Sequence, residues 1–321
     1  MKIGSLCSGY GGLDMGVQSV LGGEVAWVSE FDKNVSKIIQ HNHPTIENHG
    51  DLTKINWQEL EPVDVITAGY PCQPFSAVGK RKGTNDPRHI WPYIRDGIDT
   101  IRPKLVLLEN VAGHLTLGFD SVLGSLSEIG YDARWHCLRA SEIGAPHNRL
   151  RLFIVAYPKG SRWWTQQDCE VAGFGSSRNG MGSVNQSDAG VVTNSNSIND
   201  GQGRLRILDE KSKTIEQDSN SVFGFSDSNN ENQESTNWGD FAAAIKRWEH
   251  IRNLEAPNPI DKEGRLSAHF VEWMMGLPAG LVTDVDIPRN AQIKALGNGV
   301  VPQQAAEALT RLLKIDKENN E

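Results

Sequence analysis

An α/β protein with a doubly wound sheet and a second, smaller, loop-rich domain is the fold that this sequence predicts. Three observations point to it. Short apolar runs of strand length alternate with segments of helical periodicity from residue 2 to about residue 157. Polar and charged residues recur where those strands would end, the edge at which open α/β sheets hold ligands. From about Lys159 the composition shifts to Asn, Ser, Gly, Asp and Gln.

Residues 2 to 7 read as a strand that runs into the glycine-rich turn Ser8-Gly9-Tyr10-Gly11-Gly12. A helix should follow over Leu13 to Leu21, with Leu13, Val17 and Val20 on one face. The strand Glu24 to Ser29 then ends at Glu30-Phe31-Asp32. Strand, glycine turn, helix, strand and an acid about 20 residues on is the nucleotide-binding βαβ pattern, in which the acid takes ribose hydroxyls. Glycines without that acid mark ordinary tight turns. After a helix from Lys33 to about Gln40, Asp51 stands where a third strand could end, or else caps a helical turn at Thr53.

The run Val63 to Ala68 leads into Gly69-Tyr70-Pro71-Cys72-Gln73-Pro74-Phe75-Ser76. Pro71 and Pro74 each fix φ and remove a backbone donor, so Cys72 sits on a stiff loop just past a strand. That placement suits a nucleophile; the milder alternative is a cysteine packed as a small hydrophobe. The basic segment Lys80-Arg81-Lys82 follows, readable as a solvated loop or as a flap that touches phosphates.

A helix from His89 to Ile101 and the strand Leu105 to Leu108 deliver Glu109. A carboxylate at the end of an apolar strand needs a partner or a task, and general acid chemistry is the sharper reading. A helix over Ser121 to Ile129 and a strand over Ala133 to Leu138 continue the alternating series, which closes with the run through Val155. Arg149 and Arg151, two apart in that last strand, would share a face; a charged edge strand is the alternative. Beyond the polar stretch 160–238, part of which is expected to be disordered, Phe241, Ile245 and Trp248 fall on one helical face. The run Ala268 to Pro278 carries a Met and Trp stripe that reads as core. Ile293 to Pro302 and a helix through Leu313 close the chain.

An apolar content of 38% and a charged content of 22% describe a globular protein with ample core. No apolar run reaches membrane-spanning length and no signal peptide is visible, so a cytoplasmic location without a membrane partner is expected. Four separated cysteines, with no C-x-x-C pair, suggest neither a metal site nor a disulfide framework. The net charge of −8 argues mildly against a nucleic-acid partner, leaving room only for a local basic patch.

Taken in order, these segments resemble the DNA (cytosine-5) methyltransferase family across most of the chain outside 160–238. Pro71-Cys72-Gln73 is similar to the family's catalytic loop, Glu109-Asn110-Val111 to its glutamate motif, and Arg149 with Arg151 to its arginine pair. Gly297-Asn298-Gly299-Val300 resembles the C-terminal motif that returns to the cofactor and braces the cysteine loop. Cys7, His147 and His269 depart from the residues common at their places. The resemblance implies a Rossmann-like, S-adenosyl-L-methionine-dependent sheet domain, residues 1–157 plus 286–321, and a target-recognition domain, residues 158–285. Implied catalytic residues are Cys72, Glu109, Arg149 and Arg151. Cofactor contacts would come from Ser8, Gly9, Tyr10, Gly11, Gly12, Glu30, Phe31, Asp51, Leu52, Gly69, Pro71, Asn298 and Val300. Duplex DNA would meet Gln73, Ser76, Lys80, Arg81, Lys82 and Arg88, with Arg204 and Arg206 adding positive charge. A monomer is expected, with a cognate restriction endonuclease as a candidate partner. A tRNA cytosine-5 methyltransferase and a catalytically silent DNA-binding relative are the rival readings.

Overall fold

The computed structural model describes residues 1–71, 90–161 and 236–314, and the backbone course of 190–192. Apart from Thr236 and Asn237, these residues belong to one compact unit. Its centre is a sheet in the order β3-β2-β1-β4-β5-β7-β6-β8. The strands are β1 (Lys2–Leu6), β2 (Glu24–Ser29), β3 (Glu47–Asn48), β4 (Val65–Gly69), β5 (Leu105–Val111), β6 (Tyr131–Arg139), β7 (Leu150–Pro158) and β8 (Gly190–Val192). Strands β1 to β5 pair in parallel, and the strand order reverses between β1 and β4, the switch point at which such sheets open a crevice.

Alternation along β5 explains why its sequence is apolar without a break. Val106 and Leu108 join a core with Ile94 and Ile98 of α3 (Trp91–Ile101) and Val122 and Leu126 of α4 (Phe119–Glu128). Leu105 and Leu107 face the opposite core, with Leu13 and Val17 of α1 (Gly12–Leu21) and Leu309 and Leu312 of the C-terminal helix. Each fully buried leucine contributes about 1.5 to 3 kcal/mol, so a strand covered on both faces is a strong organiser of the fold. The remaining helices are α2 (Lys33–Asn42), α5 (Ala242–Arg252), α6 (Ala268–Met274), α7 (Arg289–Asn298) and α8 (Pro302–Lys314). No described helix is long and apolar enough to cross a membrane.

The alternating series breaks after β6. A single 3-10 turn, Ala140–Ile143, links β6 to β7, and β7 runs antiparallel between β5 and β6. The arginine-bearing strand is therefore interior, paired on both sides, and the edge-strand alternative does not hold. On α5, Ile245 and Trp248 are buried, but Phe241 lies in a 3-10 turn before the helix and is exposed. Its place on that helical face fails because the α-helix starts one residue later. The Met and Trp stripe is core: Trp273, Met275 and Leu277 are buried. Met275 and Leu277 pack with Tyr10, Leu296 and Val301.

Candidate active site

The register of the parallel strands brings four sequence-distant loops to one edge. Leu6 pairs with Ser29 and Ala68, and Gly69 pairs with Glu109, so the chain leaves β1, β2 and β4 beside Glu109 of β5. There a cavity of about 370 Å³ opens, walled by Ser8, Gly9, Gly12, Glu30, Gly69, Pro71, Glu109, Arg149, Arg151, Asn298 and Val300 among others. Eleven of the residues expected at the site thus meet in one place.

Glu30 is the acid the βαβ pattern calls for. Its Oε2 accepts from the Gly9 amide at 3.0 Å and its Oε1 from the Asp32 amide at 2.8 Å. Burial pushes this carboxyl up, against the pull of those two amides. The glycine turn takes its form from close approaches. Gly11, at φ 84°, is the N-cap of α1, in the left-handed region where a side chain is strained. A methyl group on Gly12 would strike the Val300 carbonyl and come within 2.7 Å of the Tyr10 ring. Tyr10 itself is buried, and its hydroxyl donates to the Val300 carbonyl at 2.8 Å, tying the turn to the C-terminal segment.

Glu109 is 7% exposed and Arg151 Nε lies 2.9 Å from its Oε1. Burial raises the Glu109 carboxyl, while Arg151 and Arg149 oppose the rise. Arg149 uses both terminal nitrogens elsewhere: Nη1 donates to the Gly297 carbonyl at 2.8 Å and Nη2 to the Gly299 carbonyl at 2.7 Å. Its guanidinium brackets Asn298. Burial first, then the neighbouring Arg151, brings Arg149 down to about 10.

The other expected residues among those described fall outside the cavity wall. Gly11 and Tyr10 shape the turn behind it. Phe31 is 75% exposed. Leu52 is buried in the core, and Asp51 caps the 3-10 turn Leu52–Lys54 by accepting from the Thr53 amide at 3.1 Å, the capping alternative in the sequence. Cys72, Gln73, Ser76, Lys80, Arg81, Lys82 and Arg88 lie outside the described residues.

Asp14 and Lys294 carry no sequence signal, and Cys7, His147 and His269 are the departures noted in the sequence. Cys7 lines the cavity at φ 50°, and burial pushes its thiol above the ordinary range. Asp14, in the first turn of α1, is buried and accepts from Ser5 Oγ at 2.7 Å and from Thr67 Oγ1, which ties α1 to β1 and β4. Lys294 of α7 pairs with Asp32 at 3.0 Å, and both line the cavity. His147 is held neutral by burial, which takes it to about 4, and its Nε2 meets the Met274 carbonyl at 3.1 Å. His269 is exposed.

The donor set fits S-adenosyl-L-methionine. A strand-end carboxylate at Glu30 is suited to take ribose hydroxyls, and the apolar walls Leu13, Val35 and Val300 suit an adenosine in a cavity of this size.

The profile of the family described as C-5 cytosine-specific DNA methylase matches residues 1–314. A type II methyltransferase of Bacillus subtilis, M.BsuFI, is 35% identical over 157 residues, 47% of this chain and 38% of the relative. M.FnuDI of Fusobacterium nucleatum is 36% identical over 165 residues, 50% of this chain and 47% of the relative. The matched stretch thus spans less than half of these relatives. Among solved structures, the Dnmt2 methyltransferase of S. pombe aligns over 100% of both chains at a TM-score of 0.58 and 15% identity, a likeness of fold. The Spodoptera frugiperda DNMT2 mutant aligns over 97% of this chain and 99% of its own at 0.56 and 21% identity. By the profile match and the ordered motifs, this chain belongs to the C-5 cytosine-specific DNA methylase family.

Proposed function

We propose that this chain transfers a methyl group from S-adenosyl-L-methionine to carbon 5 of a cytosine flipped out of a specific duplex DNA sequence, through a Cys72 adduct at carbon 6. The observation that carries the reading is one cavity at the switch point of the sheet. In it the Glu30 carboxylate and the Glu109–Arg151 ion pair share a wall with Pro71, the residue before Cys72.

The chemistry follows from the base. Carbon 5 of cytosine is a weak nucleophile until a thiolate adds at carbon 6, and addition drives negative charge toward N3 and O2. Glu109, raised by burial, can present a proton to N3, while the Arg151 guanidinium offsets the charge. The cofactor supplies an electrophilic methyl group when bound. Loss of the carbon 5 proton then expels the Cys72 thiolate and restores the ring. Both faces of the base must be reached, so the base leaves the duplex. Arg149 acts at one remove, holding the peptide on either side of Asn298 at the cavity wall.

Residues 158–285 supply target recognition in this reading. Gln73, Ser76, Lys80, Arg81, Lys82 and Arg88 contact the DNA. A cognate endonuclease of the same specificity is the partner such a modification enzyme implies. The decisive assay compares methyl transfer to duplex DNA and to tRNA by the wild type and by Cys72→Ala, with bisulfite sequencing of DNA from expressing cells. The expected result is methylated duplex DNA at one sequence, with Cys72→Ala inactive but still binding cofactor. Methylated tRNA with untouched DNA would overturn the substrate assignment, and turnover by Cys72→Ala the nucleophile.

A further inference from the structure

The residue two before Cys72 is held at both ends by the segment that carries Glu109. Tyr70 is 4% exposed, with its ring against Trp91 at 5.3 Å between centroids and edge-on to His114 at 5.7 Å. Its carbonyl accepts from Asn110 Nδ2 at 3.1 Å. Its hydroxyl lies 2.9 Å from His114 Nε2, and His114 Nδ1 lies 2.9 Å from the Leu117 carbonyl. A carbonyl only accepts, so Nδ1 carries the proton of the neutral ring and Nε2 accepts from Tyr70. His114 is 2% exposed, and burial keeps it below the usual imidazole range and uncharged.

We propose that Tyr70 and His114 form a positioning pair for catalysis: together they fix the start of the Cys72 loop relative to Glu109. Tyr70 is two residues before Cys72, at most about 7 Å along the chain, so its position sets the point from which the Cys72 loop starts. A displacement of about 1 Å in a reacting group can reduce a rate by about a hundredfold. Tyr70 reaches the cavity wall, while His114 lies behind it.

The proposal rests on the methyltransferase reading for its rate arm only. The test uses the full chain as wild type, Tyr70→Phe, His114→Phe and the double variant. Tyr70→Phe keeps the ring and its packing and removes one hydroxyl. Single-turnover methyl transfer to duplex DNA should fall by about tenfold in each variant, with the Kd for S-adenosyl-L-methionine within twofold. The double variant should be no slower than the slower single, because both remove one interaction. Amide hydrogen exchange in the peptide covering residues 66–76 should quicken in every variant while exchange in β5 stays unchanged. Unaltered exchange in that peptide in folded Tyr70→Phe overturns the proposal whatever the activity. A rate loss matched by an equal loss of cofactor affinity also overturns it. A wild type inactive on duplex DNA, with quickened exchange in Tyr70→Phe, retains the anchor and removes the substrate reading.

Discussion

Replacing Asp14 with Asn should abolish a large pH dependence of stability. Asp14 is buried among the first turn of α1, β1 and β4, and desolvation lifts its carboxyl from 3.8 to about 6 although the Thr67 and Ser5 hydroxyls donate to it. About two pKa units correspond to about 3 kcal/mol. The sign follows from which state holds the proton more tightly. The folded state does, so the stabilising contribution is complete below about pH 4 and disappears as pH rises through about 6. Asn keeps the shape, stays neutral, and can accept from one hydroxyl while donating to the other. Relative to wild type, Asp14→Asn should therefore gain about 3 kcal/mol of stability between pH 4 and pH 8. Urea unfolding at stepped pH measures it as a widening gap in midpoint at constant slope. Parallel curves for the two proteins across that range would refute the reasoning, because they would mean that Asp14 ionises in the fold as it does in the unfolded chain.

Two further changes probe the cavity. Glu30→Ala removes the acceptor of the Gly9 and Asp32 amides as well as the ribose partner, so cofactor binding should weaken severalfold and stability fall by about 1 to 3 kcal/mol; unchanged affinity in calorimetry would take Glu30 out of the site. Gly299→Ala would drive a methyl group into the Tyr10 ring, which should lower stability by about 1 to 3 kcal/mol in thermal unfolding, and a neutral effect would show that the turn can open there.

Much of the site was legible because parallel sheets place chemistry at strand ends. Glu30 and Glu109 each follow or close an apolar run, and a polar residue there has no role in the core. The Cys72 motif and its basic neighbours were equally visible in sequence. Asp51 was ambiguous because a cap and a ligand carboxylate use the same side chain, and the hydrogen bond to Thr53 shows the cap. Phe31 reads as an apolar residue, and only its 75% exposure shows that the folded chain leaves it open to solvent.

By itself the sequence determined the doubly wound class, the order of the motifs and the residue types that the chemistry needs. Those follow from local periodicity and from the cost of burying polar groups, both of which are written residue by residue. Only the tertiary structure decided that β7 inserts antiparallel between β5 and β6, because periodicity records which face is buried and not which strand is the neighbour. It also decided that Arg149 grips the carbonyls of Gly297 and Gly299, that Tyr10 meets Val300, and that His114 holds Tyr70. These partners lie 44 to 290 residues apart, and pairing at that range is set by the fold's packing, which no local pattern encodes.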